Sequence, residues 1–186
     1  VCPSAAFSDL DVTLWYHEPV DYMLETSMMN GMSATTFEPN STTTRGMIVT
    51  MLYRLENEPT AASAGFTDVA AGQWYTDAVN WAAANNIVNG YGDSQFGPTD
   101  TITREQMAAI LYRYAQYKGY DVTASANLSA YTDAANISSY AVSAMQWAVA
   151  NGVINGTSAT TLEPAGTATR AQAATVLVRF QNSMKS

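Results

Sequence analysis

The stretch TREQMAAILYRY, residues 103–114, recurs twice in this chain, as TRGMIVTMLYRL at 44–55 and as TRAQAATVLVRF at 169–180. Each copy opens with threonine, a strong helix N-cap, and continues with apolar residues at helical spacing. The two later copies have glutamine at the third helical position and complete a capping box, whereas Met47 leaves the first box incomplete. The stretch therefore predicts three helices that begin after Thr44, Thr103 and Thr169.

The residues that precede each copy also repeat. Repeat 1 has an aromatic-x-Asp element, a Trp-Tyr pair, an Asn-Gly pair and an aromatic-x-Pro element: Phe7-Asp9, Trp15-Tyr16, Asn30-Gly31 and Phe37-Pro39. Repeat 2 matches them without a gap at Phe66-Asp68, Trp74-Tyr75, Asn89-Gly90 and Phe96-Pro98. Repeat 3 matches more loosely, with Tyr131-Asp133, Tyr140-Ala141, Asn155-Gly156 and Leu162-Pro164. Such self-similarity indicates three repeats, which we place at 1–60, 61–125 and 126–186.

Each repeat contains a second predicted helix ahead of the Asn-Gly pair. In repeat 2 it spans about 75–85, because Trp74, Ala78 and Trp81 share one helical face. In repeat 1, Pro19 requires the helix to start close to that residue. Since helix pairs this short cannot bury an apolar face alone, we expect an all-α fold in which three helix-loop-helix repeats pack as a pseudo-threefold bundle with inter-repeat grooves.

Composition excludes several classes of partner. The chain has 186 residues, is 47% hydrophobic and only 13% charged, and has a net charge of -8. Nucleic acid is excluded as a partner because phosphate binding requires clustered cations. No apolar run reaches the roughly 20 residues that a membrane span requires, so we expect no membrane insertion.

The few cations are placed in register. Six of the eight fall at two repeat positions: Arg45, Arg104 and Arg170, then Arg54, Arg113 and Arg179. The second set lies about two and a half helical turns after the first, on the opposite helix face, and we expect it to bond loop carbonyls or carboxylates.

Together the Phe-x-Asp, Trp-Tyr, Asn-Gly, Phe-x-Pro and Thr-Arg elements resemble three S-layer homology domains over about residues 7–183. That resemblance implies a module that anchors a larger surface protein in the cell wall or S-layer. It also implies an acidic secondary cell-wall polysaccharide as ligand, with pyruvylated N-acetylmannosamine as the expected sugar. We further expect the chain to be monomeric and extracellular.

The resemblance assigns roles to positions of this sequence. The Thr-Arg arginines Arg45, Arg104 and Arg170 would contact the acidic group, and the groove would be formed by Asp9, Asp68, Asp133, Trp15, Trp74 and Tyr140, with Gly31, Gly90 and Gly156 beside them. Tyr140 stands where the family has tryptophan, which leaves open whether all three grooves bind. We expect the arginines to face outward at the helix starts, where a guanidinium can grip a carboxylate with two parallel bonds.

Other interpretations remain at this level. The Thr-Arg arginines would also suit structural ion pairs, the aspartates would suit turn caps, and Trp15 and Trp74 would suit a core. The whole chain would also suit a protein-interaction module or a structural spacer.

Catalysis is not predicted, because His17 has no counterpart in the other repeats and no phosphate loop or metal-ligand cluster is evident. We expect neither cofactor nor metal. Cys2 lies at what we expect to be a frayed end, where it is either incidental or paired outside this chain.

Overall fold

The computed structural model describes residues 1–185 and contains six α-helices. Repeat 1 contributes α1 (His17–Glu25) and α2 (Arg45–Leu55), repeat 2 contributes α3 (Thr76–Ala84) and α4 (Arg104–Tyr117), and repeat 3 contributes α5 (Val142–Ala150) and α6 (Arg170–Met184). Short 3₁₀ helices lie at Pro3–Ala6, Ala134–Asn136 and Ser139–Ala141. Within the described residues, β pairing is limited to isolated bridges, so the predicted all-α class is confirmed.

The threonine caps occur where the sequence predicts them. The side chains of Thr44, Thr103 and Thr169 accept from the backbone N–H of the third helical residue. The expectation of an incomplete box in repeat 1 was wrong, because Met47 Sδ lies 3.4 Å from the Thr44 backbone nitrogen and accepts from it. A thioether sulfur is a weak acceptor, so it takes the place of the glutamine oxygen only in part.

Contacts between repeats follow one cyclic order. Helix α2 packs on α3, α4 packs on α5, and α6 packs on α1. The segments before the second helices also pair with each other through the bridges Thr44 to Thr101, Thr103 to Thr167 and Thr42 to Thr169. The chain therefore closes on itself, while the pseudo-threefold arrangement and the three repeat boundaries stay predictions.

The core is built from the apolar faces of these helices. Trp81 and Trp147 are each 1% exposed, and Trp147 meets Phe180 edge-on with ring centroids 6.1 Å apart. Across the part of the chain that the structure describes, no helix combines the length and apolar character needed to cross a membrane.

The N-terminus is not frayed, contrary to expectation. The 3₁₀ helix Pro3–Ala6 packs against α1, and Cys2 is partly buried. The reason is a set of polar contacts to α1: Cys2 Sγ lies 3.1 Å from His17 Nε2, and the Ser4 backbone N–H donates to Asp21 Oδ1 at 2.8 Å.

Candidate functional site

The Thr-Arg arginines are largely buried, which corrects the expectation that they face outward. Arg45 and Arg170 are 6% and 4% exposed, and Arg104 is half-buried. The first turn of each second helix lies against the aromatic-x-Pro loop of another repeat: the backbone N–H of Gly46 donates to Pro98 O at 2.9 Å. An arginine at the first helical position therefore has to cross an interface between repeats.

Each of these arginines bonds the same backbone position of a different repeat. Its Nε donates to the carbonyl of the first residue of the aromatic-x-Pro element: Arg45 to Phe96 (3.0 Å), Arg104 to Leu162 (2.8 Å) and Arg170 to Phe37 (2.9 Å). Nη2 of Arg170 also donates to Asn30 O at 2.7 Å, and Nη2 of Arg104 donates to Asn155 O. The three bonds link repeat 1 to 2, repeat 2 to 3 and repeat 3 to 1.

Among the residues that the structure describes, no carboxylate pairs with these guanidinium groups. In residues 1–185 the ion pairs within 4.0 Å are His17–Asp21 and Lys118–Glu56. The alternative in which the arginines are structural ion-pair partners is therefore wrong. Arg45 is further held by stacking, with its guanidinium carbon 4.4 Å from the Tyr91 ring centroid and 4.7 Å from that of Phe96. A cation that is buried and bonded only to neutral groups attracts an anion.

Burial lowers the pKa of Arg45, Arg104 and Arg170, since the charged form loses hydration. Carboxylates farther away act in the opposite direction, such as Glu163 on Arg104 and Glu38 on Arg170. Because free guanidinium titrates far above neutral pH, all three side chains keep their charge under physiological conditions.

The three aspartates clamp the loops that carry the accepting carbonyls. Asp68 Oδ1 accepts from Phe96 N at 2.9 Å and its Oδ2 accepts from Gly97 N at 2.7 Å. Asp9 and Asp133 make the same pair of bonds in their own repeats. Since both oxygens of each carboxylate bond the protein's own backbone, these residues shape the groove by positioning its loop.

The residue that follows the clamped position adopts a left-handed conformation in every repeat. Its φ is +59° at Glu38, +72° at Gly97 and +48° at Glu163. This conformation turns two successive N–H groups toward one carboxylate. Only the glycine signals it in the sequence, because φ above zero is uncommon for glutamate.

The Asn-Gly glycines permit a close approach of an aromatic ring to the backbone. A Cβ on Gly31 would lie 2.3 Å from Phe7 Cε1, one on Gly90 2.8 Å from Phe66 Cε1, and one on Gly156 2.9 Å from Tyr131 Cε1. Of these three glycines only Gly90 has a positive φ, at +79°. Gly31 and Gly90 also line the cavities described below.

The aromatic positions assigned to the groove are exposed. Trp15, Trp74 and Tyr140 have 61%, 56% and 56% of their surface accessible, so the core alternative for the two tryptophans was wrong. Each tryptophan ring is set by an edge-on contact with the tyrosine that follows it, with centroids 5.5 Å apart at Trp15-Tyr16 and 5.1 Å at Trp74-Tyr75.

One cavity, which we call the Arg45 groove, joins these elements from all three repeats. It has a volume of about 440 Å³ and is lined by Arg45 of repeat 1, by Gly90, Tyr91 and Arg113 of repeat 2, and by Tyr140 of repeat 3. The Thr-Arg arginine thus meets the Asn-Gly pair of the next repeat and the exposed aromatic of the one after it.

A second cavity, the Arg170 groove, is also lined by residues of all three repeats and contains two arginines. Its volume is about 360 Å³, and Arg170 of repeat 3, Gly31 and Arg54 of repeat 1 and Trp74 of repeat 2 line it. Methionines line its remaining wall, where the Arg45 groove has Tyr91. Each groove therefore has one arginine from each of the two arginine positions, while the apolar residues that line the two grooves differ.

Two arginines of the second set, Arg54 and Arg113, line the grooves as well, which the sequence analysis missed. Arg54 donates Nη1 to Met28 O at 3.3 Å and, like Arg113, borders a cavity. Helical spacing does place Arg45 and Arg54 on different faces of α2, but each groove combines one arginine from each of two repeats. The repetition of arginine at a second position of every repeat was the sequence signal for Arg54 and Arg113.

Comparison with known families finds three tandem copies of one domain in this chain. The S-layer homology domain profile matches residues 6–46, 65–108 and 130–174. The chain belongs to the S-layer homology domain family.

Relatives of this S-layer homology chain include an amylopullulanase of Thermoanaerobacterium thermosulfurigenes and an exoglucanase, XynX, of Acetivibrio thermocellus. They are 33% and 32% identical over 88% and 94% of the chain, which spans 9% and 16% of their lengths. A surface-layer 125 kDa protein of Lysinibacillus sphaericus is 29% identical over 96% of the chain, which covers 15% of it. The family and these S-layer relatives place the module at the cell surface, in the S-layer or cell wall.

Arg104, the remaining Thr-Arg arginine of this S-layer homology chain, has similar backbone bonds but different neighbouring side chains. Arg104 bonds Leu162 O and Asn155 O, so it contacts the repeat that departs most from the family pattern. Leucine offers no aromatic face for the guanidinium, whereas Phe96 and Phe37 stack on Arg45 and Arg170. The three arginines therefore share their backbone bonds and differ in their stacking partners.

Proposed function

We propose that this chain is a non-covalent anchor that binds an acidic secondary cell-wall polysaccharide through the arginine-lined grooves between repeats. One observation carries the proposal: Arg45 and Arg170 border open cavities and have no carboxylate partner within the described residues. A ligand that brings its own carboxylate would complete these sites.

The free atoms of the guanidinium suit a bidentate acid. Arg45 uses Nε for Phe96 O, and its two terminal nitrogens make no hydrogen bond to any residue of 1–185. The carboxylate of a pyruvyl ketal is planar and matches such a pair of donors. Each charge-assisted bond contributes about 1.5–3 kcal/mol, enough for weak binding by one groove.

The exposed aromatics supply the complementary surface for a sugar ring. Tyr140 and Tyr91 border the Arg45 groove, and Trp74 borders the Arg170 groove. A ring such as N-acetylmannosamine places apolar C–H groups against an aromatic face, while its hydroxyls bond polar groups at the edge. We propose pyruvylated N-acetylmannosamine as the sugar.

Several weak grooves on one chain favour a repeating polymer over a single sugar. Engagement of a second groove is intramolecular and raises avidity by about 10²–10⁴-fold when the spacing fits. The net charge of -8 has little effect on binding of an acidic polymer, because repulsion between charges more than roughly 8–10 Å apart is screened at physiological salt.

We further propose that the chain acts as a monomeric module of a larger surface protein and has no catalytic role of its own. Any catalysis would belong to other domains, since the chain spans less than a fifth of the enzymes it matches. The proposed anchor neither binds nucleic acid nor inserts into a membrane.

Co-sedimentation with purified peptidoglycan-polysaccharide complex tests the proposal. Arg45→Lys and Arg170→Lys keep the charge but lose the planar pair of donors, and we expect roughly 10-fold weaker binding for each. Lys185→Ala is the matched control, because Lys185 is a cation outside both grooves that stacks at 5.9 Å on Tyr22. Unchanged binding by both arginine variants, or equal retention on walls stripped of polysaccharide, would favour the protein-interaction or spacer alternatives.

A further inference from the structure

Three side chains near the N-terminus converge on one point away from the grooves. Cys2 Sγ lies 3.1 Å from His17 Nε2 and 3.2 Å from Asp21 Oδ2, and the last two atoms are 3.0 Å apart. The three atoms thus form a nearly equilateral triangle. None of these residues lines the Arg45 or Arg170 groove.

This triangle differs from a nucleophile-histidine-carboxylate relay. In a relay the nucleophile bonds one ring nitrogen and the carboxylate bonds the other. Here Cys2 and Asp21 both approach Nε2 of His17, so the imidazole cannot pass a proton from one side to the other. Convergence of sulfur, nitrogen and oxygen on a common centre is instead the arrangement of ligands around a metal ion.

The distances suit a small borderline cation. Zinc bonds of about 2.0–2.3 Å to N, O and S place neighbouring ligands of a tetrahedron roughly 3.3–3.6 Å apart. The triangle has to open by only a few tenths of an ångström to admit the ion. Thiolate, imidazole and carboxylate are together the ligand types that select zinc over magnesium or calcium.

Surrounding residues hold the ligands in place. Asp21 Oδ1 accepts from the backbone N–H of Ser4 at 2.8 Å and from the Ser4 hydroxyl, which leaves Oδ2 directed toward Cys2 and His17. His17 and Asp21 lie one turn apart on α1, and their side chains are 27% and 19% exposed. An ion can therefore enter from solvent and keep one position for water.

We propose that Cys2, His17 and Asp21 bind one Zn²⁺ ion, with water as the fourth ligand. Binding releases the thiol proton and joins the N-terminal segment to α1, so the ion stabilises repeat 1 rather than taking part in wall binding. The positions equivalent to His17 and Asp21 are Thr76 and Asn80 in repeat 2 and Val142 and Gln146 in repeat 3, so the site occurs once.

Cobalt binding tests the site, since Co²⁺ replaces Zn²⁺ and reports on its ligands. The chain has one cysteine and one histidine, so a thiolate-to-cobalt charge-transfer band can come only from Cys2. We expect that band at one Co²⁺ per reduced, monomeric chain with an acetylated N-terminus, and its loss when Zn²⁺ is added. Absence of the band, its dependence on a free terminal amine, or one ion per two chains would overturn the proposal.

Variants separate the metal site from a simple hydrogen-bonded cluster. Because the ion stabilises repeat 1, Zn²⁺ should raise the melting temperature of the parent chain. Cys2→Ser and Asp21→Asn should abolish this rise, and Ser4→Ala should weaken Zn²⁺ binding about 10- to 100-fold. Helical circular dichroism and wall binding of these variants should match the parent chain. A zinc-dependent rise that survives in Cys2→Ser would contradict the assignment.

Discussion

Arg170 donates its Nε hydrogen to the carbonyl oxygen of Phe37 at 2.9 Å, which bonds the last repeat to the first across 133 positions of the sequence. The same side chain borders the Arg170 groove. One guanidinium thus closes the ring of repeats and presents a charge to the ligand.

This double role predicts a coupled loss of stability and binding in Arg170→Met, which keeps an unbranched side chain but removes the guanidinium. The variant loses two charge-assisted bonds to carbonyls of Phe37 and Asn30, which then lie near a buried apolar chain. We expect the free energy of unfolding to fall by about 1–3 kcal/mol and wall binding to weaken by at least about 10-fold, since only the Arg45 groove remains intact. Urea denaturation and co-sedimentation measure the two effects, with Lys185→Met as the control for charge. A variant with full stability and full binding would contradict both roles.

Trp74→Ala should separate binding from folding. Trp74 is 56% exposed and borders the Arg170 groove, so its removal takes away sugar-contacting surface without opening the core. We expect affinity for the wall polysaccharide to fall about 10-fold with a change in melting temperature near zero. Trp81→Ala provides the contrast, because that ring is 1% exposed and its loss should destabilise by about 3–5 kcal/mol. Equal effects of Trp74→Ala on folding and binding would show that the ring is structural.

Gly90→Ala should lower the free energy of unfolding, because the new methyl group clashes with the backbone. Gly90 has φ of +79°, and an added Cβ would lie 2.6 Å from Gln95 O. Gly72 has φ of +78° with nothing within 4 Å, so Gly72→Ala carries the same backbone strain without the clash. We expect Gly90→Ala to lower the free energy of unfolding by about 1–3 kcal/mol more than Gly72→Ala in parallel urea titrations. Identical losses would mean that backbone strain alone accounts for the glycine.

The loop clamps predict a dependence of stability on pH. Burial acts to raise the pKa of Asp68, but hydrogen bonds from Phe96 and Gly97 outweigh it, so the pKa lies below its ordinary value. The carboxylate therefore stabilises the fold fully above the unfolded pKa of about 3.9, and this contribution disappears as pH falls through the lowered folded value.

The Asp68→Asn variant isolates that contribution. Asparagine has one acceptor oxygen for two N–H donors, and we expect a loss of about 1 kcal/mol at pH 7. The gap between the two proteins should close at the acid end of a series of urea titrations from pH 7 to about pH 2. A gap that is constant over this range would show that ionisation of Asp68 does not matter.

Sequence patterns correctly predicted the features that are determined by residues close together in the chain. The threonine N-caps place the starts of α2, α4 and α6 at the residue where each helix begins, because capping is decided within one turn. Trp81, which helical spacing places on one face with Ala78, is buried, and so is Trp147 at the matching position of repeat 3.

The composition of the grooves could not be predicted from the sequence, because it depends on how the repeats pack against each other. Arg45, Gly90 and Tyr140 belong to three different repeats and meet in one groove, whereas a motif aligns residues within a single copy. Burial of Arg45 was also unforeseen, since arginine is mostly exposed in proteins and only the tertiary interface removes it from water. Likewise, Cys2 meets His17 only because the first 3₁₀ helix packs on α1.

The most direct measurement is isothermal titration calorimetry of the chain with two soluble wall saccharides that differ only in the pyruvyl ketal on N-acetylmannosamine. If the buried arginines take their counterion from the ligand, the pyruvylated saccharide should bind at least about 10-fold more tightly, and Arg45→Lys with Arg170→Lys should remove that difference. Equal affinity for the two saccharides, or a preference that persists in the double variant, would contradict the account.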